Sequence, residues 1–145
     1  MNHESLAVHI ELRSSAPRPG GTVVFVNMGS TPLRLWRTGS QWGDTALSFE
    51  VRRGERTWYV LRKPQDYTRN VPSLVRVPPA ARYEAVFDLG DGQWEADAPI
   101  DQLAVADAQL VAVYDNRSSP EAVDQGVWIG QLRSSPIRLD EEPRE

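Results

Sequence analysis

Alternation between hydrophobic and polar residues is the dominant pattern along this 145-residue chain. Between residues 6 and 12, for example, a large aliphatic residue occupies every second position. A period of two is typical of strands with one buried face, whereas an amphipathic helix repeats every three to four residues. Turns containing Gly and Pro interrupt the apolar segments about every 8–12 positions, as they do in all-β domains. The pattern therefore predicts an all-β fold, an antiparallel two-sheet sandwich of seven to nine strands with one or two short helical turns.

The turn signals set the boundaries of the predicted strands. These include 6–12, 22–28, 33–37, 46–53, 56–62 and 110–114, and a last strand at 127–139 that is interrupted at Ser134-Ser135. The tight connection at 53–56 makes two of these strands a hairpin, and Asp91-Gly92 predicts a second hairpin between 82–89 and 93–96.

Two segments have the end signals of short helices. Ser119 is a suitable N-cap, Pro120 suits the first helical position, and Gly126 ends the segment. Residues 98–108 leave two alternatives open. They are a loop, or they contain a short helix with Pro99 at its first position and Ile100, Leu103 and Ala104 inside it.

Several strands are apolar on both faces. If Val24 and Val26 point inward on one strand, Phe25 points outward. If Leu33 and Leu35 point inward on the next strand, Trp36 points outward, unless a β-bulge near Leu35 turns it back inside. Similarly, Tyr59 and Leu61 lie opposite the core positions Trp58 and Val60. Because large exposed apolar patches are rare on monomers, we expect a cover over the outer face. In order of preference, this cover is the loop 63–72, a second subunit that makes a homodimer over Phe25 and Trp36, or another partner.

Charge is distributed unevenly along the chain. The net charge is −4, but residues 12–83 hold 12 bases and 4 acids, whereas residues 84–145 hold 4 bases and 14 acids. We favour mutual neutralisation of the two parts in the folded domain over a basic surface for an anionic partner. The isoelectric point near 5.2 argues against binding to nucleic acid. We expect one domain at residues 1–139 and a frayed acidic tail at 140–145.

The same composition limits where the chain works and what chemistry it can do. No segment approaches the roughly 20 apolar residues of a membrane helix, and the first residues do not resemble a signal peptide, so we expect a cytoplasmic protein. The absence of cysteine excludes thiol catalysis, disulfides and zinc–thiolate sites. The two histidines, His3 and His9, have no Ser and Asp at a recognisable spacing, so we expect no catalytic residues and no enzymatic activity.

Two segments could hold a metal ion, but each has a simpler explanation. Met1-Asn2-His3 has the arrangement that wraps Cu(II) or Ni(II), although three residues match by chance often. The acids between Asp88 and Glu95 lie near glycines, but they lack the register of a calcium loop and suit a hairpin turn. We therefore expect no metal and no cofactor.

A family resemblance rests on five segments of the chain. They are Asn27-Met28-Gly29-Ser30-Thr31-Pro32-Leu33, the hairpin Leu47–Arg62, Val77-Pro78-Pro79, the strand 110–114, and Val127-Trp128-Ile129-Gly130 with Ser134-Ser135-Pro136. Their order resembles bacterial immunoglobulin-like sandwich domains, most nearly the intracellular proteinase-inhibitor (BsuPI-like) group. The segment from Trp36 to Trp42 is also similar to one in uncharacterised bacterial proteins. The resemblance implies an immunoglobulin-like fold and, by analogy, a protease-inhibitor function.

Five tryptophans supply further candidates for core and site positions. We expect Trp58 in the core, Trp128 closing the core or its lid, and Trp94 half-buried at best. Trp42 lies in a loop, where it either folds back as a plug on the end of the sandwich or forms a binding rim with Tyr67 of another loop. Trp, Tyr and Arg are enriched in binding hot spots.

These residues lead to a prediction of a non-enzymatic module that binds another protein. The loops 37–44 and 63–72 form its predicted site. The predicted partner-binding residues are Arg37, Gln41, Trp42, Asp44, Asp66, Tyr67, Arg69 and Asn70.

Two alternative functions remain open. A protease inhibitor could use Val71-Pro72-Ser73 or Asn70-Val71-Pro72 as an extended inhibitory loop. A carbohydrate-binding module could use Trp36 and Trp42 as stacking platforms.

Overall fold

The computed structural model describes residues 6–15, 18–37, 46–63, 74–117 and 119–139. Eleven strands and two short helices lie within these ranges. The strands are β1 (Leu6–Ser14), β2 (Gly20–Asn27), β3 (Leu33–Trp36), β4 (Leu47–Arg53), β5 (Arg56–Arg62), β6 (Leu74–Val77), β7 (Arg82–Asp88), β8 (Trp94–Glu95), β9 (Gln109–Asn116), β10 (Gly130–Arg133) and β11 (Ile137–Arg138). The helices are α1 (Ile100–Leu103) and α2 (Pro120–Gln125).

The strands form three antiparallel groups. One sheet has the order β1-β2-β7, and a six-stranded sheet has the order β10-β9-β4-β5-β8, with β11 also paired to β9. The third group is a two-stranded ribbon of β3 and β6. The prediction of an all-β, antiparallel protein is confirmed. The strand number exceeds the predicted seven to nine because β8 and β11, which are only two residues long, count as strands.

One hydrophobic core fills the space between the two larger sheets. Buried side chains of β1, β2 and β7 belong to the same cluster as those of β4, β5 and β9. Two aromatic pairs cross from sheet to sheet: the ring centroids of Phe25 and Tyr114 are 5.0 Å apart, and those of Phe49 and Phe87 are 4.7 Å apart. Such aromatic pairs add to the free energy of area burial.

The orientation predicted for β2 is wrong. Phe25 points into the core together with Val23, while Val24 lies on the opposite face. The neighbouring strand fixes this choice, because Val23 pairs with Ala85 and both are buried. Strand β2 is apolar on both faces, so only the clearer alternation of β7 reveals which face is inside.

The hairpin predicted around Asp91-Gly92 is also wrong. Strand β7 pairs with β2, and β8 pairs with β5 in the other sheet, so the connection between them crosses from sheet to sheet. The turn chemistry is nevertheless present. The Asp88 and Asp91 carboxylates each accept a hydrogen bond, at 2.8 Å, from the backbone N–H two residues further on. Asp side chains form such turns whatever strands they connect.

This crossing explains why Trp94 is buried rather than half-exposed. Its pairing with Arg62 of β5 places the indole over the core, where it meets the Phe49 ring edge-on at a centroid distance of 5.2 Å. The Arg62 guanidinium lies 5.4 Å from the Trp94 ring centre. Trp128 is buried in the core, whereas Trp58, which is predicted to be a core residue, is partly buried and packs against it.

The last strand is interrupted where the sequence predicts it. Strands β10 and β11 both pair with β9, and Ser134 lies between them. Its hydroxyl accepts a hydrogen bond from the Ala112 backbone N–H at 2.9 Å, and its own N–H donates to the Ala112 carbonyl. The serine therefore keeps the edge of β9 satisfied across the interruption.

Helix α2 has the ends that its sequence indicates, whereas α1 begins one residue after the predicted start at Pro99 and ends before Ala104. The Ser119 hydroxyl accepts a hydrogen bond from the Ala122 N–H at 3.0 Å, and Gly126 ends α2 with a left-handed φ of 67°. These are a serine N-cap and a glycine C-cap. The ambiguous segment 98–108 begins as helix α1, for which Pro99 is the N-cap and Leu103 the buried residue.

Gly21 allows a close approach between β1 and β2. A β-carbon built on this residue would lie 2.1 Å from the Glu11 carbonyl oxygen, beside an irregularity in the register between Leu12 and Ser14. Only glycine avoids this overlap.

Candidate functional site

The predicted site spans two connections, which run from β3 to β4 and from β5 to β6. Strand β3 pairs with β6 so that Trp36 lies beside Leu74. Strand β4 pairs with β5, and the pair Phe49–Val60 lies two residues from the ends at Leu47 and Arg62. The start of each connection is therefore adjacent to the end of the other. Both connections join the same two strand pairs, so their described ends lie next to each other.

Arg37 lies at the junction of these connections and is the predicted site residue that the structure describes. Its guanidinium Nη2 donates a hydrogen bond to the Leu74 carbonyl at 3.2 Å, and the residue is exposed. The bond joins the residue before the first loop to the residue after the second. Arg37 thus links the start of the first connection to the end of the second.

The other predicted partner-binding residues lie outside the described residues. They are Gln41, Trp42, Asp44, Asp66, Tyr67, Arg69 and Asn70. The possible inhibitory segment Asn70-Val71-Pro72-Ser73 lies outside them as well.

Trp36 lies beneath this junction, and here the sequence prediction was half right. The side chain points away from the main core, as the alternation of β3 indicates, but it is only 2% exposed. It forms a second small core with Ala122 of α2 and with Val127, and Leu74 and Ile129 pack against this cluster. A buried indole cannot serve as a stacking platform for a sugar.

The cover over β3 comes from helix α2 and the residues that follow it. The Arg34 guanidinium donates a hydrogen bond to the Gln125 carbonyl at 2.9 Å, and the Trp128 N–H donates to the Arg34 carbonyl at 2.8 Å. With Phe25 in the main core and Trp36 under α2, neither residue lies on an exposed face. The predicted homodimer surface at Phe25 and Trp36 is therefore wrong.

Aromatic packing continues from this cover into the main core. Tyr114 stacks on Trp128 with ring centroids 5.7 Å apart, and the Asn116 amide donates a hydrogen bond to the Trp128 carbonyl at 2.6 Å. Burial raises the pKa of the Tyr114 phenol far above its ordinary value, so the side chain stays neutral. The strand ends that carry the two loops are therefore attached to a tightly packed part of the protein.

The remaining sequence candidates do not form a reactive site within the described residues. His9 is exposed on β1, as expected, and lies 3.2 Å from the Glu11 carboxylate, whose pKa this hydrogen bond lowers. His3 lies outside the described residues. No group of three or more His, Asp or Glu side chains that could hold a metal ion is found in the described ranges.

The charged side chains that line a cleft at the opposite end of the six-stranded sheet already have partners within the chain. It has a volume of about 480 Å³ and lies between the β4–β5 turn and the residues after α1. Arg53 pairs with the Asp107 carboxylate at 3.1 Å, and the Arg56 guanidinium lies 4.8 Å from the Trp58 ring centre. These contacts tie the end of β4 to the segment that follows α1 and the start of β5 to Trp58, which is a structural role.

Comparison with known proteins gives no relative. No protein-family model, no curated protein and no solved structure matches the chain. None of the helices in the described part of the chain is long and apolar enough to cross a membrane.

Proposed function

We propose that this protein is an immunoglobulin-like β-sandwich that binds another protein through the loops 37–44 and 63–72. The proposal is supported chiefly by the attachment of both loops to the same two strand pairs, with Arg37 bonded to Leu74 at their junction. Binding residues are common on loops that a rigid scaffold positions.

The composition of the loops supports a protein as the partner. Trp42 and Tyr67 supply large side chains that can anchor in pockets of a partner surface. Arg37 and Arg69 supply guanidinium groups for directed hydrogen bonds to carboxylates or backbone carbonyls. The polar residues Gln41, Asp44, Asp66 and Asn70 suit the rim that surrounds such anchors.

The experiment is affinity capture from lysate with four purified baits, followed by mass spectrometry. The baits are the wild type, Trp42→Ala, Tyr67→Ala and the control Met28→Ala. Met28 is 65% exposed and precedes the turn at the other end of β3, so the control also removes a large exposed side chain. Melting temperatures of all four show whether each bait is folded.

A protein that the wild type and Met28→Ala retain, and that both loop variants lose at unchanged melting temperature, supports the proposal. If that protein is a protease that the wild type inhibits, the binding is that of an inhibitor, as the BsuPI-like resemblance implies. If the loop variants retain the same proteins as the wild type, the loops are not the site. A large fall in melting temperature for Trp42→Ala would instead make Trp42 a structural plug.

A further inference from the structure

Exposed apolar side chains occur on strands of both larger sheets. Tyr59 and Leu61 of β5 are 61% and 52% exposed, which confirms the prediction that β5 is apolar on both faces, and Val86 of β7 is 82% exposed. The two strands differ in position, since β5 lies between β4 and β8, whereas β7 is at the edge of the sheet β1-β2-β7. An edge strand presents unpaired backbone groups to which another strand can add.

The hydrogen bonds beyond both ends of β7 show which of its backbone groups are unpaired. The Asn27 N–H donates to the Ala81 carbonyl, and the Leu89 N–H donates to the Pro19 carbonyl, both at 3.0 Å. Together with the register, these bonds place the odd-numbered residues of β7 in the pairs that bond to β2. The N–H and C=O groups of residues 82, 84, 86 and 88 therefore point away from β2. No other strand in the described part of the chain pairs with them.

This free edge is regular along its whole length. The seven residues of β7, Arg82–Asp88, include no proline and pair with β2 without a register shift. The four residues whose backbone groups point outward are all exposed. The other edge strand, β1, has an irregularity between Leu12 and Ser14. Because such irregularities hinder the addition of a further strand, β7 is the more suitable edge for pairing.

The charges along β7 indicate which strand fits this edge. Arg82 and Asp88 lie on the same face at opposite ends of the strand. If two antiparallel copies of β7 pair about Ala85, Arg82 of each copy faces Asp88 of the other, and Glu84 faces Val86. A shift of two residues would instead place Glu84 opposite Glu84 or opposite Asp88 of the second copy. Since like charges directly opposite each other are destabilising, the register centred on Ala85 is favoured.

We infer that β7 pairs with β7 of a second copy of this chain, antiparallel and about a twofold axis at Ala85. The pairing joins the sheets β1-β2-β7 of the two copies edge to edge. Glu84 of each copy exchanges hydrogen bonds in both directions with Val86 of the other. The interface is isologous, so every contact is made twice. It uses no residue of the loops 37–44 and 63–72.

Both end charges have capacity for the contact between copies. The Arg82 guanidinium lies 2.8 Å from the Glu84 carboxylate and 3.4 Å from that of Glu11, and its side chain is 47% exposed. A guanidinium has five N–H donors, so Arg82 can bind a further carboxylate. The Asp88 Oδ1 accepts a hydrogen bond from the Gly90 N–H at 2.8 Å. Within the described residues Oδ2 makes no hydrogen bond, so it can accept from Arg82 of the second copy.

The first test replaces Val86 by proline. The Val86 N–H points to the free edge, so proline removes a donor of the proposed pairing and no bond to β2. Light scattering at high concentration should give the wild type twice the chain mass of 16.3 kDa. Val86→Pro should weaken the dimer by about a hundredfold or more, because each copy leaves a carbonyl of the other without its donor. The matched control is Val86→Ala, which keeps the N–H and should dimerise nearly as the wild type does.

Two charge-reversed variants test the register and keep the proposal testable if Val86→Pro fails to fold. Arg82→Asp places an aspartate opposite Asp88 at both ends of the pairing, and Asp88→Arg places an arginine opposite Arg82 at both ends. Each variant alone should be monomeric at concentrations where the wild type is dimeric. An equimolar mixture should restore the dimer, because every facing pair then consists of an acid and a base. The control is Arg76→Asp, a reversal of an exposed arginine on β6, which should dimerise as the wild type does.

The proposal is overturned if the wild type stays monomeric at high concentration, in which case this edge is unoccupied or takes a strand of another protein. It is also overturned if Val86→Pro and Val86→Ala dimerise alike, or if the charge-reversed variants dimerise alone as well as they do together. Failure here is distinguishable from failure of the proposed function, because the loop variant Trp42→Ala changes no residue of β7 and should remain dimeric.

Discussion

Replacing Trp36 by alanine tests the part of the fold that supports the loops. The indole is 2% exposed and joins the β3–β6 ribbon to α2 through Ala122 and Val127. Removing it leaves a cavity between the ribbon and the helix and opens the contact that holds α2 in place. We therefore expect Trp36→Ala to destabilise the whole protein and to loosen α2 in particular.

The magnitude follows from the buried area. A buried Trp side chain removes about 200 Å² from water, and at ~25 cal/mol per Å² this is about 5 kcal/mol. Substitutions of buried Phe or Trp by Ala cost about 3–5 kcal/mol, so we expect about 4 kcal/mol. A domain of this kind is stable by about 5–15 kcal/mol, so the variant should remain folded but lose a large fraction of its stability.

Urea unfolding at 25 °C measures the loss in the free energy of unfolding, and hydrogen exchange shows which part of the protein is loosened. The amide of Val127 donates a hydrogen bond to the Ala122 carbonyl. The substitution Trp36→Ala should raise the exchange rate of this amide, relative to the wild type, by a larger factor than it raises the exchange rates of β9 amides. The control is Val123→Ala on the same helix, where the side chain is 66% exposed. This control should change the free energy of unfolding by less than about 0.5 kcal/mol.

A loss below about 1 kcal/mol for Trp36→Ala would refute the reasoning, because that is the effect of a surface substitution. Unchanged exchange at Val127 together with a large global loss would show that α2 is held by contacts other than the indole.

Two further substitutions test close approach and buried charge. Gly21→Ala should cost more than about 2 kcal/mol in urea unfolding, because its β-carbon would overlap the Glu11 carbonyl; wild-type stability would show that β1 shifts freely. Glu50→Gln should cost about 1–3 kcal/mol at pH 7, since it removes the carboxylate that Arg52 and Arg133 bind. The folded-state pKa of Glu50 is lowered, so its contribution is complete above about pH 4.5, the ordinary value, and is lost as the pH falls through the folded-state pKa. The stability difference between wild type and Glu50→Gln should therefore shrink in acid, and a difference independent of pH would contradict this assignment.

Local signals in the sequence were sufficient wherever neighbouring residues alone decide the structure. The cap at Ser119, the stop at Gly126 and the interruption at Ser134-Ser135 each depend on bonds within a few residues or on one adjacent strand. The β4–β5 hairpin belongs to the same group, because a tight turn leaves its strands little choice of partner.

The errors concern contacts between residues far apart in the chain. Asp91-Gly92 is a turn as predicted, but a turn does not determine whether the next strand stays in the same sheet. Phe25 was misplaced because β2 is apolar on both faces, and only its pairing with β7 decides which face is inside. The sequence predicts that Trp36 points outward under a cover, for which the loop 63–72 is preferred, but the segment that packs on it in the structure is α2, which follows it by more than eighty residues.

The candidate site likewise has features that local sequence signals indicate and features that depend on contacts between distant residues. Residue types and loop positions pointed to Arg37 and its neighbours. The sequence could not show that β3 pairs with β6, which brings the start of one connection next to the end of the other. It also gave little sign of the cluster of Glu50 with Arg52 and Arg133, because the alternation of β4 indicates a solvent-facing glutamate.

The two strand pairs that hold the loops also make the protein a suitable scaffold for engineering. Each loop is attached at both ends to strands whose register is fixed outside the loops, at Trp36–Leu74 and Phe49–Val60. Residues 38–45 and 64–73 can therefore be randomised together while the registers that position them are kept. A library built in this way would attach two variable segments to neighbouring strand ends on one cysteine-free chain, which needs no oxidising conditions for its production.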